Sequence, residues 1–168
     1  MKLSTSQMKF LKFVHCAFAC CWLGGIASVV TISNLAGDLS LNGSLVGMNI
    51  AGKLVDNYII IPGALGCLIT GLLYGLFTGW GFFKHKWVLC KWIITIYCIL
   101  SGTFMLGVWK EQLFEISLLL GNEALNDGVY NAIKFKRMIF SYLQLFLMLF
   151  MVYISIFKPW KSSRQIQE

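Results

Sequence analysis

Charged side chains are scarce in this sequence. They make up 12% of its 168 residues, whereas about 25% of an average soluble domain is charged. Apolar residues make up 58% of the chain, and its mean hydropathy is +0.73. A domain in water needs more polar surface than this chain can supply. The composition therefore excludes a soluble globule and predicts an integral membrane protein in contact with the lipid bilayer.

The sequence also lacks the short motifs of common enzyme classes. It has no Gly-x-x-x-x-Gly-Lys-Ser/Thr phosphate loop, no His-Glu-x-x-His zinc motif and no Gly-x-Ser-x-Gly nucleophile turn. No carboxylate lies within a long apolar run, which excludes a proton relay through acids inside the membrane. Nothing supports a hydrolase or an ATPase, and whether the chain is an enzyme stays open.

None of the cysteines lies in a polar loop sequence. A secreted disulfide framework places its cysteines in polar, loop-rich stretches, whereas these lie inside or at the edges of apolar segments. We therefore predict that they are reduced and pack between helices as small apolar side chains. The six are Cys16, Cys20, Cys21, Cys67, Cys90 and Cys98.

Four apolar segments have the length of a bilayer span. They cover about residues 13–35, 58–78, 87–109 and 138–157, and about 20 helical residues suffice to cross ~30 Å of hydrocarbon. The first segment is too long for the apolar part of a cleaved signal peptide, so we expect it to be retained. The sequence predicts an all-α, four-helix transmembrane bundle in which residues 1–168 form one domain.

The net charge of +7 comes from lysines and arginines beside the apolar runs. That position is typical of a topology signal and of contact with anionic lipids, and we expect no nucleic-acid partner. With the N-terminus inside, the cytoplasmic segments hold Lys2, Lys9, Lys12, Lys84, Lys86, Lys91, Lys158, Lys161 and Arg164. The outer segments hold Lys53, Lys110, Lys134, Lys136 and Arg137. The excess predicts a multi-pass protein of the cell inner membrane with both termini in the cytoplasm, although the cluster Lys134–Arg137 opposes it.

Small residues recur every fourth position in two spans, a pattern typical of close helix packing in membranes. One stripe is Gly63, Cys67, Gly71, Gly75 and Gly79. The other is Cys16, Cys20, Gly24 and Ser28. We expect both stripes to pack at the centre of the bundle. In the fourth span we expect Ser141, Gln144, Met148, Met151 and Ser155 to face inward and the aromatic residues to face lipid.

Two ionisable residues lie within spans, where such residues are costly and often functional. His15 lies one turn inside Lys12, and Lys91 lies in the first turns of the third span, at a similar depth. The alternatives are that Lys91 extends its ammonium to the membrane surface and that His15 only hydrogen-bonds a neighbouring helix. His85 is expected to be a solvated turn residue.

Sulfur-containing residues allow a second kind of site. Cys16 and Cys20 lie one helical turn apart, and Met148 and Met151 form a Met-x-x-Met pair. Thiolate and thioether ligands select Cu(I), although both residue types are also ordinary packing residues in membranes. Copper or small-molecule transport is therefore kept as an alternative function.

The first span resembles the first helix of a group of small bacterial membrane proteins. The shared pattern is a histidine, six residues and Trp-x-Gly, here His15, Trp22 and Gly24. Pro62, Thr70-Gly71, and Trp87 four residues before Lys91 follow in the same order. The group includes the copper-resistance CopD family, the HemJ-type protoporphyrinogen oxidases and related uncharacterised families. The resemblance covers about residues 10–100.

This resemblance implies a cofactor site. In HemJ-type proteins the first-helix histidine is implicated in binding haem b, so His15 would be the axial metal ligand. Lys91 would pair with a haem propionate or polarise a quinone carbonyl, and Trp22 and Gly24 would line or admit the ring. The HemJ-type proteins carry a second histidine after the lysine, but here that region reads 98–102, Cys-Ile-Leu-Ser-Gly. A haem would need Met, Cys, Tyr or an open sixth position.

Three functional hypotheses follow. The first is a haem b- or quinone-associated membrane protein that uses His15 and Lys91 near the cytoplasmic leaflet. The second is a non-enzymatic membrane subunit or accessory protein whose small-residue stripes bind a membrane-protein partner or a second copy of the chain. The third is transport of copper or a small molecule.

Overall fold

The computed structural model describes residues 3–39, 44–77 and 85–158, which are helical almost throughout and contain no strand. The α-helices are α1 (Thr5–Leu39), α2 (Leu45–Val55), α3 (Ile61–Phe77), α4 (Lys86–Ser101), α5 (Gly107–Leu120) and α6 (Gly128–Phe157). Two π-helical turns join α2 to α3 and α4 to α5; they are Asp56–Ile60 and Gly102–Leu106. A 3-10 turn, Gly121–Asn126, follows α5.

These elements form four long transmembrane helices. The first is α1, the second runs Leu45–Phe77, the third Lys86–Asn126 and the fourth Gly128–Phe157. Within the described ranges, four helices are long and apolar enough to cross a membrane. The predicted all-α, four-helix transmembrane bundle is therefore confirmed.

All four helices extend beyond the predicted spans; the first runs Thr5–Leu39 rather than from about residue 13 to residue 35. The second begins at Leu45 rather than near residue 58, the third continues to Asn126 rather than ending near residue 109, and the fourth begins at Gly128. The extensions are amphipathic, so hydropathy alone does not detect them. Their apolar sides bury Leu45 and Tyr130 in a second small core.

Side-chain contacts show that neighbouring helices run antiparallel. Tyr74, near the end of α3, donates its hydroxyl to the Met8 carbonyl near the start of α1. Asn34, near the end of α1, donates to the Tyr142 hydroxyl over 2.6 Å. The start of α1 and the end of α6 therefore lie at one end of the bundle, which we name the terminal end. The opposite end, where α2 and α6 begin, is the distal end.

The first and second transmembrane helices approach each other at a glycine. A Cβ atom built on Gly63 would lie 2.8 Å from the Trp22 backbone nitrogen and 3.1 Å from the Phe18 carbonyl oxygen. Both Gly63 and Cys67 are buried, and Cys67 belongs to the main core with Trp22 and Ile26. Close packing through the second-helix stripe is confirmed at these positions. Gly79 lies outside the described residues.

The first-helix stripe does not pack at the centre, so that expectation is wrong. Cys16, Cys20, Gly24 and Ser28 are all exposed on the outer face of α1. The helix instead presents Phe18 and Trp22 to the second helix, because large side chains fill the groove that glycines leave open. One small residue at each crossing is enough for two backbones to approach.

The fourth helix faces the way its sequence predicts. Ser141, Gln144 and Met148 are buried, and the Gln144 amide donates to the Cys98 carbonyl over 2.7 Å. Phe146 is 64% exposed, as expected for a residue that faces lipid. The bond satisfies a polar side chain that would otherwise be costly inside a bilayer.

Ion pairs and a small apolar core hold the distal ends of the helices together. Lys53 pairs with Glu111 over 2.6 Å, and Lys110 pairs with Asp56 over 2.7 Å. The second core contains Leu45, Leu113, Ala124 and Tyr130. This distal layer is built from residues that lie between the predicted spans.

The close approach at Gly63 predicts a selective sensitivity to a methyl group. Gly63→Ala should lower the free energy of unfolding by about 1–3 kcal/mol, because the backbone of α1 must move away. Thermal unfolding in detergent measures this change. The control is Gly24→Ala, where a Cβ meets no atom within 4 Å and the change should stay below about 1 kcal/mol. Equal effects at the two sites would contradict the packing described.

Candidate functional site

His15 lies on the side of α1 that faces the second transmembrane helix. Its Nδ1 is 2.7 Å from the Thr70 hydroxyl oxygen, and that hydroxyl donates to the Gly66 carbonyl over 2.6 Å. Because the hydroxyl hydrogen is used on Gly66, the oxygen accepts from His15, which therefore carries its proton on Nδ1. When the imidazole is neutral, this arrangement leaves the lone pair on Nε2.

The imidazole is also fixed by an aromatic neighbour. The ring of Tyr74 meets it edge-on, with ring centroids 6.4 Å apart and planes at 74°. The Tyr74 hydroxyl is held in turn by the Met8 carbonyl. Contacts on two sides give His15 one orientation, as second-shell groups do for metal-ligating histidines.

Lys91 lies on α4 at the same terminal end. Its side chain is partly buried, and its Nζ lies 5.2 Å from the centre of the Trp87 ring. The Lys158 ammonium lies 5.7 Å from the same ring. Lys91 and His15 are close enough to interact electrostatically. The terminal end therefore holds two cations beside Trp87 and an imidazole beside Tyr74.

The other two predicted cofactor residues lie elsewhere. Trp22 is 2% exposed in the main core, two turns beyond His15 and against the Gly63 backbone. Gly24 is on the exposed face of α1, where a Cβ would meet nothing. The structure brings His15 and Lys91 together but leaves Trp22 and Gly24 away from them.

His85 is more than a solvated turn residue. It occupies the N-cap position of α4, and its ring stacks on Trp87 with centroids 6.0 Å apart. Its contact with Trp87 connects it to the ring that Lys91 and Lys158 share.

The two sulfur pairs do not form one site. Cys16 and Cys20 are exposed on α1, whereas Met148 is 5% exposed within the main core. The Met151 sulfur accepts a hydrogen bond from Thr95 over 3.6 Å. Among the residues that the structure describes, no group of three His, Cys, Asp or Glu side chains could hold a metal ion. No specific contact favours the copper hypothesis.

A cationic cavity at the distal end was not predicted as a site. Arg137, Lys134 and Lys110 line it. The sequence signal was the cluster Lys134–Arg137, which we considered only as evidence against the membrane orientation. Because α6 begins at Gly128, this cluster lies on a helix, and the helix directs Lys134 and Arg137 towards the cavity.

Comparison of the chain with family models, with curated proteins and with solved structures found no match.

Proposed function

We propose that this membrane protein binds a redox cofactor, haem b or a quinone, at the terminal end of the bundle through His15 and Lys91. The observation that carries the proposal is the hydrogen bond from His15 Nδ1 to Thr70. It supports the proposal because it leaves Nε2 as a lone-pair donor on an oriented, neutral ring.

The donor set fits one axial ligand of a haem. A neutral histidine nitrogen is a common haem-iron ligand, and hydrogen bonding at its other nitrogen strengthens it. Lys91 supplies a nearby cation for a carboxylate such as a propionate. When bound, haem b would supply one-electron chemistry. Trp22 and Gly24 are not adjacent to His15, so we do not assign them to the ring's surroundings.

A quinone would use the same two residues in another way. The Lys91 ammonium can donate a hydrogen bond to a carbonyl oxygen, and the His15 Nε2 can accept one from a hydroxyl. Both groups lie near an end of the bundle, where a lipid-soluble molecule can reach them from the bilayer. An absorption spectrum separates the two cofactors, because only haem absorbs strongly in the visible region.

The first test is the spectrum of detergent-purified protein expressed with an ample haem supply. We expect a Soret band that His15→Ala abolishes and that the control variant His85→Ala retains. Thr70→Val should lower haem affinity about 10- to 100-fold, because second-shell groups of metal ligands have effects of this size. Thermal unfolding of each variant shows whether it is still folded.

Colourless protein leads to the quinone measurement. Solvent extraction and chromatography of the purified protein should then yield a bound quinone. The amount of quinone per protein should fall in Lys91→Gln and stay the same in Lys86→Gln. Protein that carries neither haem nor quinone, after purification in a mild detergent, would contradict the proposal.

We also propose a second function, association with a membrane-protein partner or with a second copy of the chain. The supporting observation is that the stripe of Cys16, Cys20, Gly24 and Ser28 faces outward. Small residues spaced four apart on a lipid-facing surface let another helix approach closely. Gly24 in particular has open space around it.

This second proposal predicts an effect of bulk at Gly24. Gly24→Leu should shift a dimer, or a complex with a co-purifying subunit, towards the lone chain, because the leucine keeps the partner helix away. Light scattering in mild detergent measures the mass. Gly128→Leu is the control, since that glycine is equally open but lies outside the stripe. A native protein that is monomeric and without a partner subunit would refute association.

For orientation we propose an inner-membrane protein with both termini in the cytoplasm. Of the opposing outer cations, Lys53 and Lys110 are paired with carboxylates; Lys2, Lys84, Lys161 and Arg164 lie outside the described residues. Reporter fusions at the two ends should both report the cytoplasm. A reporter active on the outer side at either end would refute this orientation.

A further inference from the structure

The distal end of the bundle contains a small cavity between α1, α2, α5 and α6. Its free volume is about 20 Å³, enough for one water-sized group, and its mouth is partly open to the outside. Its lining includes Asn49, Gly52, Lys110, Tyr130, Lys134 and Arg137. The cavity lies far from His15 and Lys91, so the inference does not depend on the proposed cofactor.

The lining of this cavity carries an excess of positive charge. Three cationic side chains line it and no carboxylate does. Asp56 pairs with Lys110 over 2.7 Å, but Lys134 and Arg137 have no carboxylate partner among the residues that the structure describes. Lys134 is therefore without a carboxylate partner in the described ranges, and Asp56 acts on Arg137 only from beyond ion-pair distance.

Arg137 has a buried donor that nothing in the described part of the chain satisfies. Its Nε is buried without a hydrogen-bond partner, and its Nη1 only reaches the Ser33 hydroxyl over 3.5 Å. Buried polar groups are almost always hydrogen-bonded, and an unpaired one indicates a missing water or ligand. An anion would satisfy the donor and also offset the charge.

Tyr130 adds a second available donor. Its hydroxyl oxygen accepts a hydrogen bond from Asn49 over 3.3 Å, and its own hydrogen is not donated to any described residue. A phenol that already accepts one hydrogen bond can still donate one. The cavity therefore presents a hydroxyl donor beside the two cations.

Gly52 leaves the cavity open. This glycine is buried, yet a Cβ built on it would meet no atom within 4 Å. Buried space in proteins is normally filled by side chains. Here α2 leaves open space at Gly52, beside the cationic side chains Lys134 and Arg137, as a binding site for an anion would.

We propose that this distal cavity binds a phosphate group, with Arg137 and Lys134 as its charge partners. The guanidinium group matches the oxygens of phosphate in charge and geometry, and the enclosed space admits one such oxygen while the rest stays in the mouth. Its lining residues Gly52, Lys110 and Arg137 lie just outside the apolar segments of the sequence, so the proposal places the cavity at the level of lipid phosphates. Free phosphate has the same chemistry, and the test distinguishes the two sources.

The test compares ligands on delipidated protein in detergent. Binding is measured by native mass spectrometry and by the shift in unfolding temperature. The probes are phosphatidylglycerol, diacylglycerol as the matched lipid without phosphate, inorganic phosphate, and chloride as the ionic control. We expect phosphatidylglycerol to bind and diacylglycerol and chloride not to stabilise the protein.

A matched pair of lysines on α6 provides the decisive variants. Lys134→Gln removes a cavity cation and should weaken phosphate binding about tenfold, the loss expected for one charge-assisted hydrogen bond. Lys136→Gln removes the same charge from an exposed neighbour and should change binding less than about twofold. Arg137→Gln should have at least the effect of Lys134→Gln.

Gly52 offers an independent check that does not alter charge. Gly52→Met should fill the cavity and block phosphate binding, whereas Gly52→Ala, which fits the open space, should retain most of it. If Arg137→Gln fails to fold, the lysine pair and the glycine pair still decide the matter.

The two sources give different patterns. Binding of phosphatidylglycerol alone identifies a lipid site, and binding of inorganic phosphate as well identifies a site open to water. Equal binding of diacylglycerol, equal effects of Lys134→Gln and Lys136→Gln, or unchanged binding in Gly52→Met would overturn the proposal.

Discussion

The approach of two backbones at Gly63 determines much of what the terminal end can do. Trp22 lies against that glycine, and two turns away along the same antiparallel pair His15 meets Thr70. A longer distance between these helices would leave the imidazole without its hydroxyl partner and free to rotate. The orientation of the candidate ligand atom is thus a consequence of helix packing, since van der Waals contact is what joins helices in lipid.

Much of this fold could be predicted because the bilayer imposes simple rules on length and hydropathy. The four spans and the inward face of the fourth helix follow from spacing. The distal layer could not be predicted in the same way, because its amphipathic segments are buried only by contacts between different helices. Leu113 and Tyr130 are buried by each other's helices, and the residue pattern of either helix alone does not predict that contact.

The candidate sites also differ in whether the local sequence predicts them or whether they depend on contacts between helices. An ionisable residue inside a span is visible in the sequence, so His15 and Lys91 were identified at once. Thr70 was noticed only as part of a resemblance, because its role depends on a partner 55 positions away. Arg137 was interpreted as a topology signal, since nothing in a run of basic residues tells which one turns inward. Which face of α1 is buried was likewise determined by the shape of its neighbour.

The π-helical turn at Asp56–Ile60 has a consequence for how one long helix serves two layers. Such a turn takes up one residue more than an α-helical turn, which rotates everything beyond it by about 100° around the axis. The residues before it contact both α1 and α5, and those after it contact α1, without a break in the helix. The turn therefore lets one continuous helix pack against different neighbours in its two parts, the one before Asp56 and the one after Ile60.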